Sequence, residues 1–171
     1  MFSDCDIIKI AVNQKLGGES MELKFLTFYL GEEVFAINIM KVERVKEYEK
    51  TTKIPNIADF VEGIINLMGE IVPIINLRKK FLMDDFANKE KSKIIVVKLE
   101  NGKKVGLLVD DVREVLTVTE DMIDEPPAHV AGMSGAKFIS GVIKLENEMV
   151  LTLEVDNLLT TEEKIALANI G

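Results

Sequence analysis

The chain of 171 residues has no tryptophan, one histidine, one cysteine and four prolines. A single thiol, Cys5, cannot close an internal disulfide, which fits a reducing cytoplasm. His129 stands in a Gly/Pro loop with no cysteine beside it. It cannot assemble the four ligands of a structural zinc, so it reads as a surface residue. No apolar run approaches the roughly 18 residues of a membrane span. The N-terminus, MFSDCDIIKIAV, lacks the basic start and apolar core of a signal peptide. Positive charge is scarce: 21 Lys and Arg stand against 29 Asp and Glu, a net charge of −8. That balance argues against nucleic acid and anionic membrane surfaces as partners. The only basic clusters, Lys103-Lys104 and Arg78-Lys79-Lys80, read as solvated turns or strand ends.

Chemistry is scarce too. There is no glycine-rich phosphate loop and no G-x-G-x-x-G fingerprint. Ser134, within Gly132-Met133-Ser134-Gly135, is not in a nucleophile elbow. Asp110 and Asp111 are neighbours on an expected strand and point to opposite faces, so they form no dyad. We expect no catalytic residue, no metal and no cofactor. Hydrophobic content of 47% with 29% charged residues nevertheless suits a globular core.

What the sequence does contain is a repeated pattern. Residues 63–76, GIINLMGEIVPIIN, match 141–154, GVIKLENEMVLTLE, at Gly63/Gly141, Ile65/Ile143, Leu67/Leu145, Glu70/Glu148 and Val72/Val150. Upstream, residues 25–45 lie over 94–115 with one extra residue in the second turn. Two copies in one order predict two similar lobes rather than a solenoid. Residues 1–21, with the linker-like Gly17-Gly18, read as a tail.

From residue 23 the pattern predicts short strands. Leu26, Phe28 and Leu30 share one face and Leu23, Phe25 and Tyr29 the other, as in a strand buried on both sides. Asn56 is placed to cap a short helix carrying Phe60 and Val61. Hairpins are predicted around Met68-Gly69 and Asn101-Gly102. Pro73 suggests an edge or bulged strand. The polar stretch 84–93 reads as the junction between lobes, and 124–137 as a loop. Thr160-x-x-Glu163 is a capping box opening a short C-terminal helix, with Ile165 as its docking residue. The class is mainly β, with small barrels or a sandwich. Met68 is unusual at a hairpin tip. It is either a packed tip or part of an adaptable contact surface.

Over residues 22–168 the chain resembles the CheW family of chemotaxis coupling proteins. The most specific block is Phe60, Gly63, Asn66, Leu67, Met68, Gly69, Ile71, Pro73, Ile74 and Leu77. Residues 25–31, 39–42, 105–115 and 153–158 support it. The resemblance implies two SH3-like five-stranded barrels around a shared hydrophobic junction. Lobe 1 would be about 22–76, completed by 146–168, and lobe 2 about 77–145. It also implies a non-catalytic scaffold, monomeric in isolation, in the cytoplasm at receptor arrays. Its partners would be the cytoplasmic tip of a chemoreceptor and the regulatory domain of the histidine kinase CheA, with rings built together with the kinase. The receptor groove would involve Val42, Arg44, Met68, Gly69 and Val115. Kinase contact would fall around Lys93 and Ile94, with Gly63 assigned there or to close backbone packing. Two positions depart from the family pattern: Met68 replaces its usual arginine, and Arg44 its usual glutamate.

Overall fold

The computed structural model describes residues 22–126 and 138–168. The expected tail, His129 and Ser134 lie outside the described residues. Eleven strands form two sheets. In chain order they are β1 (Glu22–Leu30), β2 (Glu33–Asn38), β3 (Val42–Glu47), β4 (Val61–Leu67), β5 (Glu70–Asn76), β6 (Lys93–Lys98), β7 (Lys104–Val109), β8 (Asp111–Thr119), β9 (Ile123–Asp124), β10 (Ile139–Lys144) and β11 (Met149–Leu153). Among the described residues there are also two α-helices, α1 (Leu77–Lys80) and α2 (Thr161–Ala168), and a few 3₁₀ turns. The first sheet runs β8-β1-β2-β11-β10-β9 and the second β3-β6-β7-β5-β4.

The chain therefore crosses between sheets twice. It leaves the first sheet after β2, at the 3₁₀ turn Ile39–Lys41, and returns at Asp110, between β7 and β8. The second sheet is one continuous stretch, 42–109, set between the two segments that form the first. This corrects the expected division: β3 to β5 belong to the second lobe and β8 to β10 to the first. Periodicity reports which residues form strands, not which edges they pair with.

The repeat survives in the pairing. Each sheet has two adjacent antiparallel strands from one copy, β1-β2 or β6-β7. The first completes itself with four strands of the other copy and the second with three, through the parallel pairs β2-β11 and β5-β7. Even the irregularities correspond, with register shifts between Val61 and Gly63 and between Ile139 and Gly141. Three residues, Glu120–Met122, separate β8 at one end of the first sheet from β9 at the other. So short a link spans only about 10–14 Å and draws the ends of that sheet together. In the second sheet, Thr52 bridges to Ile64 of β4 shortly after β3 ends.

Strands buried on both faces divide their side chains between cores. Leu26, Phe28, Ile37, Val45, Ile95 and Leu107 meet in the main cluster, which draws on both sheets. Alternate residues fill a smaller cluster within each sheet, Phe25, Ala36 and Val118 in the first and Ile74, Ile94 and Leu108 in the second. The period of two along a strand makes both sets possible. Each fully buried Leu, Ile or Phe contributes about 1.5–3 kcal/mol.

Three local expectations are corrected. No helix follows Asn56, which adopts φ 57°; Val61 already begins β4. Pro73 lies in β5, which is flanked by β4 and β7, not at an edge. Ile64, opposite Pro73, spends its N–H and C=O on Thr52, so no ladder bond to β4 is missing. On the other side, pairing with β7 starts one residue later, at Ile74. Finally, the capping box forms, with Thr160 N–H donating to Glu163 and Glu163 N–H to Thr160 Oγ1, but Leu167 is the buried residue of α2 while Ile165 is 58% exposed.

Each crossover is held by an ion pair. Arg78 grips Asp110 with two bonds of 3.0 and 2.8 Å, and Asp110 also accepts the Gly31 N–H. Lys41 donates to Asp156 at 2.9 Å, and Asp156 also accepts the Glu100 N–H. Burial opposes ionisation of Asp156, but the Glu100 N–H and the Lys41 ammonium outweigh it and hold the carboxyl below its ordinary range.

Two predictions follow from this geometry. A Cβ at Gly63, where φ is 149°, would sit 2.4 Å from the Thr52 carbonyl oxygen; at Gly141 the nearest atom is an Ile123 methyl at 2.9 Å. Gly63→Ala should cost about 3 kcal/mol in urea unfolding, and Gly141→Ala less. Asp156→Asn should cost about 2 kcal/mol at pH 7 by leaving Lys41 unpaired. Because the folded Asp156 pKa is depressed, the wild-type advantage exists above the unfolded value of about 4 and fades as pH falls through the folded one. The gap between the two proteins' urea midpoints should narrow below about pH 4.

Candidate functional site

The β4-β5 hairpin closes with Met68 at φ 54° and Gly69 at φ 89°. Both central residues are left-handed, the conformation that matches the twist of a two-residue hairpin. The Asn66 side chain accepts the Gly69 N–H at 2.8 Å and fixes the turn. Asparagine or glycine suits such a position; methionine there is strained. Its side chain is 84% exposed.

Arg44 reaches this turn from β3. Its Nη2 donates to the Met68 sulfur at 3.4 Å. Thioether sulfur is a weak acceptor, so the guanidinium keeps most of its hydrogen-bonding capacity. Its neighbours are otherwise occupied: Glu43 lies 3.8 Å and Glu70 3.5 Å from Lys104, while Glu47 takes Lys93 at 2.7 Å. The repeat places a comparable pair elsewhere, where Arg113 holds Glu148, the counterpart of Glu70, at 2.8 Å. That guanidinium keeps the Glu148 carboxyl below its ordinary range.

The expected groove is thus brought together in part. Arg44, Met68 and Gly69 form one exposed feature. Val42 is buried, and Val115, on β8 of the other sheet, is half-buried against the same main cluster. Val42 therefore supports this surface from beneath rather than offering contact area. Of the residues assigned to the kinase, Ile94 is fully buried in the second sheet's own cluster and Gly63 is packed under Thr51 and Thr52. Neither has a surface to present, which corrects their assignment as contacts; close backbone packing is the role Gly63 has. Lys93 alone is accessible, bound to Glu47 on β3. The bridging position of Lys104 escaped the sequence, because it depends on β3 and β5 flanking the β6-β7 hairpin. Asp110, bound to Arg78 and Gly31, is structural. Among the described residues no group of three or more His, Cys, Asp or Glu could hold a metal, and no helix is long and apolar enough to cross a membrane.

A sequence profile of the CheW-like domain matches residues 24–163. The chain belongs to the CheW family. It is 34% identical over 162 residues to the chemotaxis protein CheW of Klebsiella aerogenes, covering 95% of this chain and 96% of that one. It is 33% identical over 138 residues to CheW of Thermotoga maritima, covering 81% and 88%. The crystal structure of the scaffolding protein TtCheW from Thermoanaerobacter tengcongensis superposes with a TM-score of 0.76 at 35% identity, covering 84% of this chain and 96% of that one. The two-sheet, mainly β architecture is that of CheW, and a chemotaxis scaffold is the family's role.

Within this CheW fold the strained tip makes a prediction. Met68→Asn should raise stability by about 0.5–1 kcal/mol, because asparagine tolerates the left-handed conformation. A shift in the thermal midpoint measures it.

Proposed function

We propose that this chain is a non-catalytic coupling scaffold that links the helical cytoplasmic tip of a chemoreceptor to the regulatory domain of the histidine kinase CheA. It works in the cytoplasm at receptor arrays, a monomer in isolation that joins rings built together with the kinase. The observation that carries this reading is the Arg44–Met68 pair: a large apolar side chain, 84% exposed on a strained turn, beside a cation whose one side-chain hydrogen-bond partner among the described residues is that sulfur. Stability alone does not favour methionine there.

A helical tip presents one face of apolar residues edged with polar ones. Met68 meets the apolar stripe, adapting its shape, and Arg44 takes a carboxylate at its edge. Kinase contact falls on the β3-β6 margin at Lys93 and Glu47, with Ile94 as the buried support beneath. Such contacts are small singly, and repetition in an array raises their joint affinity.

Calorimetry with a receptor tip fragment and, separately, with the kinase regulatory domain tests the reading. Saturable one-to-one binding of the kinase domain with a Kd of about 10 μM or tighter is expected. Met68→Arg should weaken receptor binding three- to tenfold, about 1 kcal/mol, by adding a second cation near Arg44, and leave kinase binding unchanged. Lys93→Glu should do the reverse. Unchanged or tighter receptor binding by Met68→Arg would remove the receptor assignment, and no complex with either partner would remove the coupling reading.

A further inference from the structure

A second surface flanks the Met68-Gly69 turn, on the sheet face beside α2. It is a cleft of about 440 Å³. Ile71, Pro73, Leu99, Val105, Leu159 and Leu167 form its apolar lining. All are buried except Ile71, which stays 48% exposed. Lys103, Lys104 and Lys164 line the cleft against one carboxylate, Glu70. Lys104 is shared between Glu43 and Glu70, while Lys103 and Lys164 make no ion pair among the described residues. On a chain of net charge −8, this is a local reversal of sign.

The described chain begins at the same end of the molecule. Glu22 opens β1, and three residues later Phe25 pairs with Asn38. β2 runs on into the turn Ile39–Lys41, so Glu22 lies alongside that turn. Lys41 holds Asp156, and Asp156 accepts the N–H of Glu100, which stands between Leu99 and Asn101 of the cleft wall. Residues 13–21, with Gly17-Gly18 among them, span up to about 30 Å, enough to turn back from Glu22 to the cleft. The stretch before them carries Ile7, Ile8, Ile10 and Val12 behind two acids, Asp4 and Asp6. Isoleucine and valine at that density favour burial, and the aspartates have the sign that the cleft lacks. Lys9, the one cation of the stretch, has Glu70 to meet.

We infer that residues 4–12 of this same chain occupy the cleft, with Ile7, Ile8 and Ile10 against Ile71 and Leu167, and Asp4 and Asp6 against Lys103 and Lys164. The tether favours this occupant. A segment joined by a short flexible linker is held at an effective concentration of order mM, so contacts too weak to hold a free partner suffice. A partner approaching this side of the turn has to displace the segment first. Neither Arg44 nor the Met68 side chain takes part, so the inference stands whether or not that pair meets a receptor.

The test uses Cys5, the chain's one cysteine. A nitroxide attached there broadens the amide signals near it in the ¹⁵N-labelled full chain, and reducing the nitroxide restores them. Broadening centred on Ile71, Lys103 and Leu167 is expected, with none at Glu146-Asn147, the turn at the other end of the first sheet. Lys103→Glu with Lys164→Glu should lower the docking equilibrium about fivefold. Ile8→Asp with Ile10→Asp should abolish the broadening at the cleft. Both pairs of changes lie at exposed or terminal positions outside the buried clusters, so the fold is kept. Broadening that appears when nitroxide-labelled ¹⁴N chain is mixed with ¹⁵N chain lacking the nitroxide would assign the cleft to a second copy and overturn the inference. So would broadening centred away from the cleft, broadening that either double variant leaves unchanged, or none at all.

Discussion

Two ion pairs fasten the chain at its two crossings between the sheets. Lys41 and Arg78 belong to the first copy of the repeat, Asp110 and Asp156 to the second. In the observed exchange each cation of one copy meets an anion of the other, Arg78 with Asp110 and Lys41 with Asp156. Suppose instead that each copy closed on itself. The turn after β2 would then face the segment after β5, bringing Lys41 toward Arg78, and the matching positions would bring Asp110 toward Asp156. The same four residues make two attractive pairs in one arrangement and two repulsive pairs in the other. Partly buried like charges without a counterion are costly, so the alternative is disfavoured from both ends. The backbone adds to this, since each aspartate also takes a hairpin N–H, from Gly31 or Glu100.

Around these latches the rest follows from strand chemistry. A row of four aromatic rings, Phe28, Phe35, Phe81 and Phe138, runs from the first sheet through the segment after α1, with centroids 5.9, 5.5 and 4.5 Å apart. It fixes the segment that carries Arg78. Glu62, a buried acid, is satisfied by the Asn76 amide and Lys89, so the polar stretch after β5 is tied back to β4. The 84–93 segment is thus tied to the second sheet and also buttresses the Arg78 latch, through the Asp84 carbonyl and the Phe86 ring; the two sheets meet at the main core and the two crossings.

The residues made some of this legible and hid the rest. Hairpins at Met68-Gly69 and Asn101-Gly102, the two-faced burial of β1 and the Thr160–Glu163 box all rest on contacts within a few residues, and they were readable. The internal match of 63–76 with 141–154 is carried by the pairing, and the completion of the first lobe by the C-terminal segment is seen in β11 beside β2, but the exchange extends further, with β3 to β5 in the other sheet. Exchange is a matter of edge pairing between residues such as Leu151 and Phe35, 116 positions apart, and no local pattern encodes it. Asn56 failed as a helix cap because a bridge of Thr52 to Ile64 commits the following chain to β4. Ile94 failed as a contact for a similar reason: strands buried on both faces leave no outward side to read from hydropathy.

The same logic separates supporting residues from contact residues at the site. Val42, Gly63 and Ile94 set where the β3-β6 and β4-β5 surfaces lie, but they are enclosed. Of the residues assigned to contacts, Met68, Arg44 and Lys93 are the accessible ones beside the buried Val42, Gly63 and Ile94. Met68 is the one residue among them whose local preference opposes its position, since a left-handed turn tip favours asparagine or glycine. A conflict between local propensity and observed conformation marks a place where something other than folding has selected the residue. Arg44 sharpens the point. A guanidinium offers five donors, and here a sulfur takes one of them weakly. The nearby carboxylates are engaged by Lys93 and Lys104, so the remaining donors of Arg44 are left to solvent or, under the proposed function, to a partner's carboxylate.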